Sequence, residues 1–151
     1  LIASLTEQIS FAGDSVGAML TLSTLLHVHH PIPTVSSLNI PTPTSRFNQA
    51  FLISPAAGRP TDTASMKAQT DIVSLDRIKE ISSILEGSMD PVIDFPNPWF
   101  LNVSADESWW GDLPIGKITI TTGEKELWRD DALTYGERIK VSAMIERGDL
   151  G

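Results

Sequence analysis

The 151 residues suffice for one domain with its own core, and a hydrophobic share of 41% beside a charged share of 20% is that of an ordinary globular chain. Eleven basic against nineteen acidic side chains leave a formal charge of −8 with no basic cluster, which argues against a nucleic-acid partner. Zero cysteines exclude disulfides and thiolate metal sites, and no stretch reaches the roughly 18 apolar residues of a membrane helix.

The absence of cysteine suits an intracellular, reducing compartment without requiring one, so localisation stays open. Leu1-Ile2-Ala3-Ser4-Leu5 reads as the tail of a helix that ends near Thr6-Glu7. Because the first residue is not Met, we expect the natural protein to extend upstream of it. Gln8 to Ala12 reads as a short strand bounded by Gly13. Val16 to about His27 is a helix that is apolar on most sides, as expected of one buried within a larger core, and Pro31 and Pro33 stop it. Pro31 to Ser45 is a proline-rich loop.

The continuous apolar run Ala50-Phe51-Leu52-Ile53 predicts a strand over Phe47 to Ser54, covered on both faces as in a parallel sheet. A polar stretch follows. Ser74 to Leu85 is helical: Leu75, Ile78, Ile81 and Leu85 share a face, Ser74 caps the start, and Gly87 sits just past the end. Asp90 to Leu113 is irregular and rich in tryptophan. Lys117 to Thr122 alternates Ile118 and Ile120 with threonines and predicts a strand. Trp128 to about Ala143 is a helix with Asp130 and Asp131 in its first turn, where the dipole favours acids, and Met144-Ile145 begins a last strand. The alternation of strand and helix argues for an α/β fold with a mostly parallel sheet and helices on both faces.

Within this frame one stretch carries chemistry. Ile9 to Gly17 reads as a strand, a sharp turn holding Ser15, and a helix that begins at once. This is the layout of a nucleophile elbow, G-x-S-x-G. A serine on so tight a turn needs small residues two positions to either side, and Gly13 and Gly17 supply them. The start of the helix aims backbone N–H groups, Val16 first, at a developing oxyanion.

Gly13-Asp14-Ser15-Val16-Gly17 resembles the GDSAG form of this elbow in the hormone-sensitive-lipase-like esterase group of the α/β-hydrolases. A second block agrees: Glu126-Leu127-Trp128-Arg129-Asp130, after a strand and opening a helix, is similar to that group's D-x-L-R-D acid block. The match places Glu126 at the acid position, where the group more often has Asp. Leu52-Ile53-Ser54-Pro55 and Asn97-Pro98-Trp99 fit less specifically. The resemblance implies that residues 1–151 are a partial domain, the C-terminal part of an α/β-hydrolase fold, with the irregular segment 60–113 associated with a cap or pocket.

It further implies a carboxylic-ester hydrolase acting on short or medium acyl esters. Ser15 is then the nucleophile, Glu126 the triad acid and Val16 an oxyanion donor, with neither metal nor organic cofactor needed. In that group the catalytic histidine follows the acid block. His27, His29 and His30 all precede it, and at about 1.5 Å per helical residue His27 lies roughly 18 Å from Ser15. We therefore expect the histidine beyond Gly151 and further oxyanion donors upstream of Leu1.

Weaker candidates remain. His27-x-His29-His30 lacks a neighbouring acid or cysteine for a metal. Asp106-Glu107 beside Trp109-Trp110 allows a sugar patch, though packing of a loop over the core explains these tryptophans better. Asn102-Val103-Ser104 is a glycosylation sequon. Asp14 is expected to be structural, and Asp71 to brace the segment before the helix at Ser74. Two rivals to hydrolysis stay open. One is a small-molecule-binding protein on the same fold, as in the plant gibberellin receptors; the other is an inactive fragment.

Overall fold

The computed structural model describes residues 8–38, 46–56, 62–68, 71–88, 97–100, 102–111 and 113–146. The expected helix tail at Leu1 to Leu5 lies outside them. Strand β1 is Ser10–Asp14, β2 Phe47–Ile53 and β3 Ile115–Thr121. They form a three-stranded sheet in the order β1-β2-β3, parallel throughout. Helix α1 (Val16–His29) links β1 to β2. Helices α2 (Ala64–Ala68), α3 (Leu75–Ser88) and α4 (Ser108–Gly111), with a 3-10 turn at Asn102–Ser104, lie between β2 and β3, and α5 (Arg129–Glu146) follows β3. Parallel neighbours joined through helices are what the alternating pattern required.

The main core unites Ala18, Leu22, Leu25 and Leu26 of α1 with Ala50 and Leu52 of β2, Trp110 of α4 and Tyr135 of α5. Between its leucines, α1 carries hydroxyl residues. Thr21 and Thr24 each donate to the carbonyl four residues back, at 3.0 and 2.8 Å, and the Ser23 hydroxyl has both the Met19 and the Trp99 carbonyls as acceptors. That back-bonding lets Thr21 sit in the core without an unmet polar group. Not every side of α1 is covered, since Val16 and Leu20 are exposed.

The run at 50–53 alternates rather than being covered throughout. Ala50 and Leu52 are fully buried, whereas Phe51 and Ile53 are 41% and 48% exposed. A strand's side chains point alternately to its two faces. The core that includes α1, α4 and α5 takes one face of β2, and the side chains of the other face are only partly covered among the described residues.

Most boundaries shift by one to three residues from expectation, and two of the differences have a local cause. Residues 144–146 complete α5 instead of starting a strand. Between Gly136 and Gly148 the sequence has neither glycine nor proline, and Ala143, Met144 and Glu146 favour helix, so nothing stops it earlier. Gly87 lies inside the last turn of α3, which runs to Ser88. The start of α3 agrees with the sequence: the Arg77 N–H donates to the Ser74 hydroxyl at 3.2 Å.

Candidate active site

The sheet is parallel, so the chain leaves all three strands at the same edge, where open α/β sheets place their ligands. Asp14, Ile53 and Thr121 are in register at that edge. Ser15 comes next after β1. Its backbone is left-handed, at φ 55°, an uncommon state for a residue with a side chain. The surrounding main chain holds it there. The Ser15 N–H donates to the Ile53 carbonyl at 2.9 Å, and the Ser15 carbonyl accepts from Ala18, Met19 and Ala56 at 3.1, 3.2 and 3.3 Å. The half-buried hydroxyl does not cap the helix. Val16 opens α1, so its N–H has no acceptor inside the helix.

The two glycines beside Ser15 differ in what they do. A Cβ on Gly13 would stand 2.3 Å from the Gly17 carbonyl oxygen, so only glycine lets β1 and the first turn of α1 meet this closely. A Cβ on Gly17 would meet nothing within 4 Å. Asp14, at the end of β1, is exposed.

Glu126 lies beyond the end of β3, in the turn that precedes α5, and is half-buried. Its carboxylate is held at both oxygens: the Ser54 hydroxyl donates to Oε1 at 2.8 Å and the Thr122 hydroxyl to Oε2 at 3.0 Å. Gly123 gives the side chain room, because a Cβ there would be 2.9 Å from Oε1. Ser54 follows β2, is itself left-handed at φ 47°, and comes directly after the residue whose carbonyl anchors the Ser15 N–H. The turns after β1, β2 and β3 are thus tied together by residues 53, 54 and 56.

The backbone around Glu126 is fastened from the side of α2. Asp71 accepts from the Leu127 N–H at 3.0 Å through Oδ2 and from the Val73 N–H at 3.2 Å through Oδ1, so it braces both its own turn and the acid turn. The buried Ser65 hydroxyl donates to the Leu127 carbonyl at 2.7 Å, and its N–H donates to Asp130 at 2.8 Å. That Ser65 N–H, followed by the Arg129 guanidinium, holds the Asp130 carboxyl below the usual carboxylate range. Asp130 is therefore engaged in fastening this turn, and Asp131 is buried in the first turn of α5. Met66, Ile78 and Leu127 form a second small core beneath the same turn.

The histidines cluster at the far end of α1. His27 is buried and fully engaged: Nδ1 accepts from the Ile32 N–H at 2.8 Å, which leaves Nε2 to donate to the Ser36 carbonyl at 3.1 Å. His30 stacks on Trp109 with ring centroids 4.0 Å apart, and its carbonyl accepts from Trp99 Nε1 at 2.7 Å. His29 is exposed. The tryptophans pack at this end of α1, and Trp110 is in the main core, so they form no open sugar platform. Asn102 is 0% exposed, with Nδ2 donating to Pro98, Trp99 and Ser23, which closes the sequon to glycosylation in the folded chain. Among the described residues no group of three histidine, cysteine or acidic side chains is arranged to hold a metal, and no helix is long and apolar enough to cross a membrane.

The sequence pattern places Ser54 and Thr122 at the ends of expected strands and Ser65 in a polar stretch, and gives none of the three a part in the site, because the partners they meet are distant in the chain.

The family described as alpha/beta hydrolase fold matches residues 3–146. Among solved structures, one similar chain is an esterase from the bacterial hormone-sensitive lipase (HSL) family, with a TM-score of 0.65 and 19% identity. Another is carboxyl esterase 2 from the mycorrhizal fungus Tuber melanosporum, with a TM-score of 0.64 and 18% identity. Each match covers 89% of this chain and 40% of the other, so the chain spans well under half the length of the structures it resembles. No curated protein matches it.

Proposed function

The chain belongs to the alpha/beta hydrolase fold family, and on that premise we propose that its full-length protein is a carboxylic-ester hydrolase working through Ser15. The observation that carries this reading is the placement of Ser15, left-handed between strand and helix, at the same sheet edge as a carboxylate held by two hydroxyls. The esterases among its structural neighbours support the reaction class.

In this reading Ser15 is the apex of a nucleophile elbow. Its Oγ attacks the ester carbonyl carbon as a histidine takes the hydroxyl proton. The carbonyl π pair moves onto oxygen, and that oxyanion is received by the Val16 N–H and donors from the remainder of the protein. The C–O bond to the alcohol then breaks, and the alcohol leaves with the proton from the histidine. Water repeats the sequence on the acyl-enzyme and restores Ser15. Glu126 accepts the other N–H of the imidazole, fixing its tautomer and stabilising its charged form. The three histidines of these residues sit at the opposite end of α1, so the base is a histidine from outside them. Short or medium acyl esters are the substrates in this reading.

A fluorophosphonate probe on the full-length protein tests the nucleophile. Ser15→Ala is expected to abolish both labelling and turnover of p-nitrophenyl butyrate. Labelling that persists in Ser15→Ala overturns the assignment.

A further inference from the structure

The strongest unassigned feature at this edge is the hydroxyl of Ser54. A serine in a turn commonly bonds its own neighbouring backbone. Ser54 instead donates to a carboxylate 72 residues away, at 2.8 Å. Its backbone is set for this purpose by a left-handed φ of 47°, an arrangement that persists only where the surroundings over-determine it. Those surroundings are on hand: the Ser54 N–H donates to the Thr121 carbonyl at 2.7 Å, Pro55 is fully buried, and the Ala56 N–H donates to the Ser15 carbonyl at 3.3 Å.

We infer that Ser54 is a positioning residue of the ester hydrolysis proposed above, its hydroxyl holding the Glu126 carboxylate in the orientation that receives the histidine N–H. The inference rests on the reading of Glu126 as the triad acid. A glutamate carries one more rotatable bond than an aspartate, so a glutamate in this role needs more restraint. An ionised carboxylate has about four lone-pair positions. Ser54 takes one on Oε1 and Thr122 one on Oε2, which fixes the plane of the group and leaves positions open for the imidazole. The same short segment, 53–56, also anchors the Ser15 turn at both its N–H and its carbonyl. Ser54 thereby sets the acid in register with the nucleophile.

The test uses the full-length protein with p-nitrophenyl butyrate, active sites being counted by fluorophosphonate titration so that kcat is expressed per intact site. Ser54→Ala keeps the same backbone demand and removes only the hydroxyl. It is expected to lower kcat roughly tenfold with KM within about twofold of the parent. Ser54→Gly also relieves the left-handed backbone, so it remains folded where the alanine variant falters, and it is expected to show the same loss. In a Glu126→Gln background Ser54→Ala is expected to cost less than about twofold more, because the group it orients is already gone. Parental kcat per site in both Ser54 variants overturns the inference and leaves the triad reading intact. So does a tenfold loss that persists in Glu126→Gln, which marks Ser54 as purely structural. Full turnover by Glu126→Gln alone overturns the reading of the acid, and with it the inference.

Discussion

At the scale of single residues, the two glycines of the turn have unequal burdens. Gly13 faces the Gly17 carbonyl so closely that any side chain forces strand and helix apart, whereas a Cβ on Gly17 enters open space. Gly13→Ala is expected to cost about 3 kcal/mol or more in the full-length protein. Gly17→Ala is expected to stay within about 1 kcal/mol of the parent, since alanine favours the helix. Urea unfolding compares them, and equal losses would contradict this account. Tyr135 gives a second residue-scale prediction. Burial, followed by the neighbouring Asp131 carboxylate, pushes its phenol well above the ordinary value. An unfolded chain releases that proton near pH 10 while the folded chain keeps it. The stabilisation is therefore complete below about pH 10 and is lost as pH rises beyond it. Tyr135→Phe is expected to flatten that alkaline decline, measured by denaturation between about pH 8 and pH 11.

At the scale of elements, the acid turn depends on a helix of one turn and a half. Helix α2 packs Met66 under Leu127 and brings Ser65 to its carbonyl and to Asp130. Ser65 is buried, so Ser65→Ala leaves the Leu127 carbonyl without that donor and is expected to cost about 1–3 kcal/mol. A loss under about 0.5 kcal/mol in chemical denaturation would show that the turn stands without α2. Asp71 has a related role, joining the approach to α3 with the Leu127 N–H. The Asp130 carboxyl, held below the usual range by Ser65 and Arg129, contributes stability above its unfolded pKa that is lost as pH falls through the folded one.

At the scale of the whole molecule, the two faces of β2 are unequally covered among the described residues. Phe51 and Ile53, at the centre of a three-stranded sheet, are among the large exposed apolar residues. Exposed apolar surface of this kind drives association. The 151-residue chain expressed alone is expected to self-associate with rising concentration in sedimentation, and Phe51→Gln with Ile53→Thr to reduce it. A monodisperse monomer for the unsubstituted chain would overturn this expectation. The chain spans 40% of the matched structures, and we expect the 151-residue chain by itself to be inactive on p-nitrophenyl esters.

Periodicity and punctuation by glycine and proline are local properties, and they made the three strands, helices α1, α3 and α5 and the parallel arrangement legible in the sequence; the short helices α2 and α4 and the helical state of residues 144–146 were not. The turn at Ser15 was legible for the same reason: its glycines and its serine are consecutive. The second candidate, Glu126, was reached only through resemblance: the local pattern accounts for Asp130 and Asp131 by the helix dipole but gives Glu126 no role of its own. Tertiary structure decided what the sequence left open. The register of three parallel strands brings Ser54 and Thr122 onto one carboxylate, although 68 residues separate them, as their positions in the chain show. It also decided that Asn102 is buried, that His27 bridges two backbone groups, and that alternate residues of an unbroken apolar run face away from the core. In each case the physical reason is one of direction: composition fixes which groups a segment carries, and only the packed backbone fixes where they point.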